Sequence, residues 1–416
     1  MSLMLIRKDE FLSNLIGKYY PLLWYTGFHI VLSPLAACFV YLRYRDRDRS
    51  PETFIYFVFF LYMFIRAIAS LISGDAGRAI ATFYNFLVLF SGFLLFQTIK
   101  GSDKFSLQII KSFANLFLFT VISYQLIYMF VLVSGEYYLY HKSLLGIIFQ
   151  NAELPGLLDA AKTAIYTRFE WGFGDVVPRM VFLAEFPTTS ALILSLTYAF
   201  FILYKFKKLS FFQLLMIDFI VLVSLTYTQS RVMLLAFLLS LLLSYLLILH
   251  RNNKVRAFLY GAFPFLIVMI GLGVFYLTDY LSSFRASSAN VRFLSYMMGI
   301  ELVLDSNPWF GLGVKPRVDS LIDIPIGSHS TLISSLVKFG IIGALFSTIL
   351  FFIFPIKHVL LKVFNHNIPT EYRVFSVRVL PVILLWMVFQ DLDAYTIASL
   401  LIFSCFGILS TGNKVK

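Results

Sequence analysis

Residues 229–250 read QSRVMLLAFLLSLLLSYLLILH. After Arg231 the stretch carries no fixed charge, and about 20 consecutive apolar residues suffice to cross the hydrocarbon of a bilayer as a helix. The pattern has no polar face, which a helix at the surface of a soluble globule would need. Read outward, the whole 416-residue chain follows suit: 59% of it is hydrophobic, 13% is charged and the mean hydropathy is +0.83. A soluble domain is about 25% charged. Aromatic residues at 18% exclude a disordered chain. Only two cysteines, Cys38 and Cys405, are present, both inside apolar runs, which excludes a disulfide scaffold. The composition is that of an all-α, polytopic membrane protein.

Runs of the required length lie near 22–42, 54–73, 80–99, 113–133, 182–203, 211–226, 232–250, 257–277, 331–354, 374–389 and 394–410. The short run 211–226 and the run 232–250 read as a tight helical hairpin turning at Thr226–Arg231. Residues 1–20 match no cleavable signal peptide. They leave room for a twelfth, poorly apolar crossing, so the expectation is 11–12 transmembrane helices. Loops of one parity hold Arg43, Arg45, Arg47 and Arg49; Lys100, Lys104 and Lys111; Lys205, Lys207 and Lys208; Arg251, Lys254 and Arg256; Lys357, Lys362, Arg373 and Arg378; Lys414 and Lys416. Short basic loops stay cytoplasmic. The net charge of +12 therefore reports orientation and not a nucleic-acid partner. Matching Gly/Pro-broken helices in two halves, the mark of an inverted-repeat transporter, are not found.

The other parity contains two long segments, 134–181 and 278–330. In the first, Leu154, Leu157, Leu158, Ala161, Ile165 and Phe169 approach helical spacing, and predict an amphipathic helix lying in the outer interface. EWGFGDVVP (170–178) then turns the chain toward Arg179. The second segment predicts a helix over 291–304, capped by Asn290 and carrying Arg292. A breaker pair, Asn307-Pro308, follows, then Gly311-Leu-Gly-Val-Lys315-Pro-Arg317, and His329 where the next span begins.

The six histidines are scattered without metal-ligand spacing, and no nucleotide-type phosphate loop occurs. What the outer face offers is a set of cations at helix mouths: Arg179, Arg231, Arg292, Lys315 and Arg317. Arginine's planar fork donates two parallel charge-assisted hydrogen bonds to a phosphate. Several such groups with one histidine suit a lipid-linked diphosphate at the membrane surface. The arginines would hold charge on the departing diphosphate while His329 takes a proton from an attacking hydroxyl. The plainer alternative is that these cations anchor to lipid headgroups. Within the spans, Arg66 and Glu185 are expected to pair across helices. Asp218 receives no assignment, and Asp391 and Asp393 are candidates for sugar hydroxyls or a base, with a solvated turn the favoured expectation.

Thr228-Gln-Ser-Arg231 before an apolar helix, Arg292, Asn307-Pro-Trp-Phe-Gly-Leu-Gly313 and Ser328-His329-Ser-Thr-Leu-Ile-Ser-Ser-Leu-Val-Lys-Phe-Gly340-Ile-Ile-Gly343 together resemble the O-antigen polymerase and O-antigen ligase superfamily. The likeness is best over about 225–350. It implies a helical, GT-C-like membrane fold and metal-independent transfer of a glycan from undecaprenyl diphosphate to a sugar hydroxyl, with no cofactor. The family's arginines and histidine correspond to Arg231, Arg292 and His329, and less closely to Arg179. Lys315-Pro-Arg317 looks more like polymerases of O-antigen, capsule or exopolysaccharide than like ligases. The expected setting is the bacterial inner membrane with the site facing the periplasm. Expected partners are membrane lipids, the lipid-linked glycan, and a chain-length regulator and flippase of the same pathway. A ligase acting on lipid A–core, and from another class a lipid-linked oligosaccharide flippase, are the rival readings.

Overall fold

The computed structural model describes residues 10–44, 50–72, 76–152, 154, 157–171, 176–249, 286–316, 325–327, 329–392 and 396–411. The chain is mostly helical. Residues 10–16 are helical and lead to α1 (Tyr20–Thr26), α2 (His29–Arg43), α3 (Pro51–Ile72), α4 (Ala76–Gly101) and α5 (Asp103–Ser134). A small outer unit follows: β1 (Leu139–Lys142), α6 (Leu144–Ile148), α7 (Leu157–Ala160), β2 (Thr163–Trp171) and β3 (Val176–Met180). The bundle resumes with α8 (Pro187–Lys205), α9 (Phe211–Thr226), α10 (Arg231–Leu249), α11 (Ala286–Ser306), α12 (Thr331–Thr348), α13 (Phe354–Phe364), α14 (Thr370–Phe389) and α15 (Thr396–Ser410).

Among the described residues seven helices are long and apolar enough to cross a membrane, and α2, α9 and α15 are shorter apolar helices. They coincide with ten of the eleven expected runs, while the run 257–277 lies outside the described residues. Local sequence sets several ends. Ser102 accepts from the Phe105 N–H to start α5, and Gly135 (φ +69°) ends it in the left-handed region. Ser210 and Gln213 form a reciprocal capping box at the start of α9.

The first expected span, 22–42, is not one helix. Gly27 (φ +82°) breaks it, and a Cβ there would stand 2.7 Å from the Ala161 carbonyl oxygen. Residues 10–26 instead form a separate rising limb. Glu10 stands 3.4 Å from Lys111 near the start of α5, and the Tyr25 carbonyl meets His141 of β1 at 3.0 Å. This limb runs from the level of Lys111 on α5 to β1, the course expected of a poorly apolar N-terminal crossing, although it is not one of the helices long and apolar enough to span.

The segment 134–181 overturns a second expectation. Its regular core is an antiparallel sheet in the order β1-β2-β3, not an amphipathic helix. Thr163, Ile165, Tyr166, Thr167, Phe169 and Trp171 make β2 rich in β-branched and aromatic side chains, which fit a pleated surface. That preference, with Gly172 and Gly174 after the strand, outweighs the helical spacing of three apolar residues. A third correction concerns Asn290. α11 begins at Ala286, so Asn290 is inside the helix and does not cap it.

The core runs through α3, α4, α5, α8, α10, α14 and α15, with phenylalanines prominent in it. The closest-packed pairs are α10 on α14 and α15 on α4. Lys207, just before α9, bonds Glu371 at the start of α14 (2.9 Å), so α10 and α14 run antiparallel. Arg231 and the turn after Phe389 consequently share the end of the bundle that carries the sheet.

Arg378 was expected in a short basic loop. It sits inside α14, 2% exposed, and forks onto Asp218 of α9 through bonds of 2.7 and 3.1 Å. Tyr198 of α8 (2.5 Å) and Tyr245 of α10 donate their hydroxyls to the same carboxylate. A buried charge needs this degree of pairing. Asp218 thus joins four helices.

Candidate functional site: cations gathered at the sheet end

The turn between α9 and α10 is held from two sides, by α5 and by the sheet. Tyr227 stacks on Tyr128 of α5 with ring centres 3.7 Å apart, and its hydroxyl donates to Gln125 (3.0 Å). The Gln125 amide in turn donates to Ser224 (2.8 Å). From the sheet, the Met180 N–H donates to the Tyr227 carbonyl (2.9 Å) and the Arg179 Nε to the Thr228 carbonyl (3.1 Å). Gln229 takes a left-handed backbone (φ +50°), and Arg231 opens α10. A helix start already carries partial positive charge. An arginine placed there concentrates a field suited to an anion. Arg179 is buried beside it, 8% exposed, in service of the turn.

A second group of candidate residues is built on α11, the loop after it and α12. His329 is largely buried in a left-handed backbone (φ +70°), and its carbonyl accepts from the Tyr296 hydroxyl (2.7 Å). The Gly327 N–H donates to Ser295 (3.0 Å). Burial first, then the nearby charges of Arg292 and Lys315, push the His329 imidazolium down to a pKa of about 4. The structure therefore brings Arg292 and Lys315 each within electrostatic reach of His329.

Lys315 is ion-paired with Asp391, which is buried. The solvated turn expected for Asp391 is thus a docked one. Thr331, one residue into α12, donates to the Gln390 carbonyl (2.8 Å) and accepts from the Leu392 N–H (3.2 Å). Arg317 and Asp393 lie outside the described residues.

The loop 307–313 explains a motif that had no chemical reading. α12 is broken at Gly340 (φ +67°, ψ −165°), which frees backbone groups on both sides of the break. The loop supplies their partners. Leu312 and Gly313 N–H groups donate to the Val337 and Lys338 carbonyls (both 2.8 Å), while the Pro308 and Trp309 carbonyls accept from Ile341 (2.8 Å) and Ile342 (3.4 Å). From α3, Tyr62 donates to the Phe339 carbonyl (2.8 Å) and Arg66 to the Gly311 carbonyl (3.0 Å). The expected Arg66–Glu185 pair does not form. Arg66 serves a carbonyl of this loop, and Glu185 stands in a separate pocket with Tyr20 and Tyr84.

Tyr296 and the pairing of Asp391 with Lys315 escaped sequence reading. Tyr296 lies one helical turn beyond Arg292, a spacing that is visible in the sequence but means nothing until His329 is seated beneath it. Asp391 sits 76 residues from Lys315, and no local pattern marks the pair.

These features define an integral membrane protein with Arg231 and Arg179 at the turn before α10 and a second group, Arg292, Lys315 and His329, built on α11, α12 and the loop between them. Residues 214–348 match the family model described as O-antigen ligase, in agreement with the resemblance to the O-antigen polymerase and ligase superfamily. The match spans Arg231, Arg292, Lys315 and His329 but not Arg179 or Asp391. Members of that family are glycosyltransferase-like enzymes. No curated protein matches the chain.

Proposed function

We propose that the protein is a membrane glycosyltransferase that polymerises oligosaccharide repeat units carried on undecaprenyl diphosphate, at the outer face of the bacterial inner membrane. The observation that carries this reading is His329 sunk beside Arg292 and Lys315. A free imidazole so placed is a weak base. When the donor's diphosphate docks on Arg231 and Arg292, its negative charge offsets the cations and raises the basicity of His329. The base is thus armed by its own substrate. His329 then takes the proton of the acceptor hydroxyl, the hydroxyl oxygen bonds the donor's anomeric carbon, and the bond from that carbon to the diphosphate breaks. Arg231 at the start of α10 and Arg292 hold the charge left on the diphosphate. Arg179 acts through the turn that presents Arg231. Lys315, tied to Asp391, adds field near His329, and Arg317 is assigned to the diphosphate by its place in the Lys315-Pro-Arg317 motif. A chain-length regulator and a flippase of the same pathway would work beside it.

The matched family's description favours one second reading, a ligase delivering finished glycan to lipid A–core. Deleting the gene separates the two. Loss of a polymerase leaves single-repeat product, and loss of a ligase leaves unmodified core. Arg231→Ala, Arg292→Ala and His329→Ala should each reduce chain growth by at least about 100-fold, the usual scale for a positioned acid–base group, with membrane-inserted protein unchanged on immunoblots. Normal chain growth in all three would overturn the mechanism.

A further inference from the structure

Between β3 and α8 the chain passes through a strap, residues 181–186, buried at 181–184, partly buried at Glu185 and exposed at Phe186. The Val181 N–H donates to the Tyr166 carbonyl (2.9 Å), the Phe182 carbonyl accepts from Ser190 (2.7 Å), and Leu183 takes a left-handed backbone (φ +65°). This strap continues directly from Arg179 and Met180, which brace the turn before Arg231. Its one titratable residue is Glu185.

The Glu185 carboxyl faces a small pocket of about 20 Å³ where α1, α2, α4, α8 and α15 converge on the strap. A space of that size holds one water, provided polar groups surround it. Here they do. The Thr189 hydroxyl of α8 and the His29 Nδ1 of α2 are buried without a hydrogen-bond partner, and both residues line the pocket. Tyr20 of α1 lines it too. Tyr84 of α4 also faces it but is engaged, donating to Ile30 and sharing a hydrogen bond with Thr396 of α15. Among the described residues Glu185 makes no hydrogen bond or ion pair, and the cation acting on it is Arg168 of β2, whose guanidinium stands 5.8 Å over the ring of Phe186. A partly buried carboxylate in such a place keeps little of its water shell and has no adjacent counter-ion among the described residues.

We propose that this pocket is a proton-binding site, in which one water links the neutral carboxyl of Glu185 to Thr189, His29 and Tyr20, and that loss of this proton unseats the strap and, with it, β3 and Arg179. Burial, opposed only by Arg168, raises the carboxyl's pKa to about 8, so the site is occupied at neutral pH and empties in mild alkali. The binding step needs nothing but the proton. Its consequence for catalysis rests on the role proposed above for the Arg231 turn, whereas proton binding does not.

The test uses the full chain in lipid nanodiscs. Infrared difference spectra between pH 5 and 10 should show a protonated-carboxyl C=O band that disappears with a midpoint near 8, and that is missing in Glu185→Gln. Hydrogen exchange of the peptide covering 176–190, corrected for the intrinsic pH dependence, should accelerate at least about tenfold from pH 7 to 9 in the parent protein and stay flat in Glu185→Gln. Thr189→Val removes a donor to the water and should move the midpoint upward. A midpoint below pH 6, an unchanged band in Glu185→Gln, or an equal exchange response in both proteins would overturn the proposal. If the band titrates as expected but chain extension ignores the same pH range, the proton site stands and the catalytic link fails.

Discussion

Replacing Gly340 by alanine tests the break in α12, on which the placement of the loop 307–313 depends. Two costs are separable. The first is conformational: φ +67° with ψ −165° is a region open essentially to glycine alone, and forcing another residue into it costs about 1–3 kcal/mol. The second is a collision. The added Cβ would stand 2.3 Å from the Trp309 carbonyl oxygen and 2.5 Å from the Phe310 nitrogen, both rigid backbone atoms. Relief requires the loop to retreat, which loosens the four hydrogen bonds linking it to both sides of the break. At about 1 kcal/mol net each, losing two of them brings the total to about 3–5 kcal/mol. Gly135→Ala is the control. It has nearly the same φ (+69°), but nothing lies within 4 Å of the new Cβ, so it carries conformational cost alone. Thermal unfolding in detergent, followed by the protein's tryptophan fluorescence, should show Gly340→Ala lowered well below Gly135→Ala. Equal midpoints for the two variants would show that the loop does not press against the break, and the account of this motif would fail.

Three other outcomes follow from the geometry. Asp391→Asn should leave Lys315 charged without its partner beside His329 and destabilise the fold by about 3–5 kcal/mol; pairing it with Lys315→Met should recover part of that loss in a double-mutant cycle. The base of the free enzyme should lose function as pH falls through about 4, where His329 protonates, so the acidic limb of kcat/KM belongs near there. The limb of kcat, measured with donor bound, should lie higher because the diphosphate stabilises the imidazolium; coincident limbs would refute a substrate-armed base. Asp218→Asn strips the counter-charge from buried Arg378 and should also cost about 3–5 kcal/mol, read as lost detergent-resistant protein, with Asp218→Asn/Arg378→Gln less damaged than Asp218→Asn alone.

Much of this architecture was legible because hydrocarbon imposes one requirement, about 20 apolar residues per crossing. That is why the hairpin of α9 and α10 and its turn at Thr226–Arg231 fall where expected. The requirement says nothing about what covers polar backbone at the sheet end, and there sequence reading failed. β2 looked helical because Ala161, Ile165 and Phe169 are four residues apart, a spacing that a twisted strand with a register shift near Leu139 does not forbid. Gly27 looked like a tolerable glycine within an apolar run, since its close approach to Ala161 exists only after the sheet has folded back on it. The site residues divide the same way. Arg231, Arg292 and His329 announce themselves as polar residues at span ends, whereas Asp391 becomes recognisable only when the last turn docks on α12.

The failed pairing of Arg66 with Glu185 shows why charge matching along the sequence misleads in this bundle. Arg66 lies near the outer end of α3 and Glu185 two residues before α8, and a guanidinium in a membrane was expected to seek a carboxylate. The competing demand came from backbone. Irregular chain at membrane depth persists only where protein satisfies its carbonyls and N–H groups, and the broken α12 with its facing loop creates several such groups at once. Arg66 answers one of them at Gly311, one helical turn from Tyr62, which answers another at Phe339. Glu185, left without a cation of its own, occupies a pocket whose remaining groups are neutral. One substitution therefore discriminates between the two accounts. Arg66→Met should weaken the loop 307–313 and lower the same unfolding midpoint as Gly340→Ala, while leaving the pH at which Glu185 titrates unmoved; a shift in that titration would restore the charge pair.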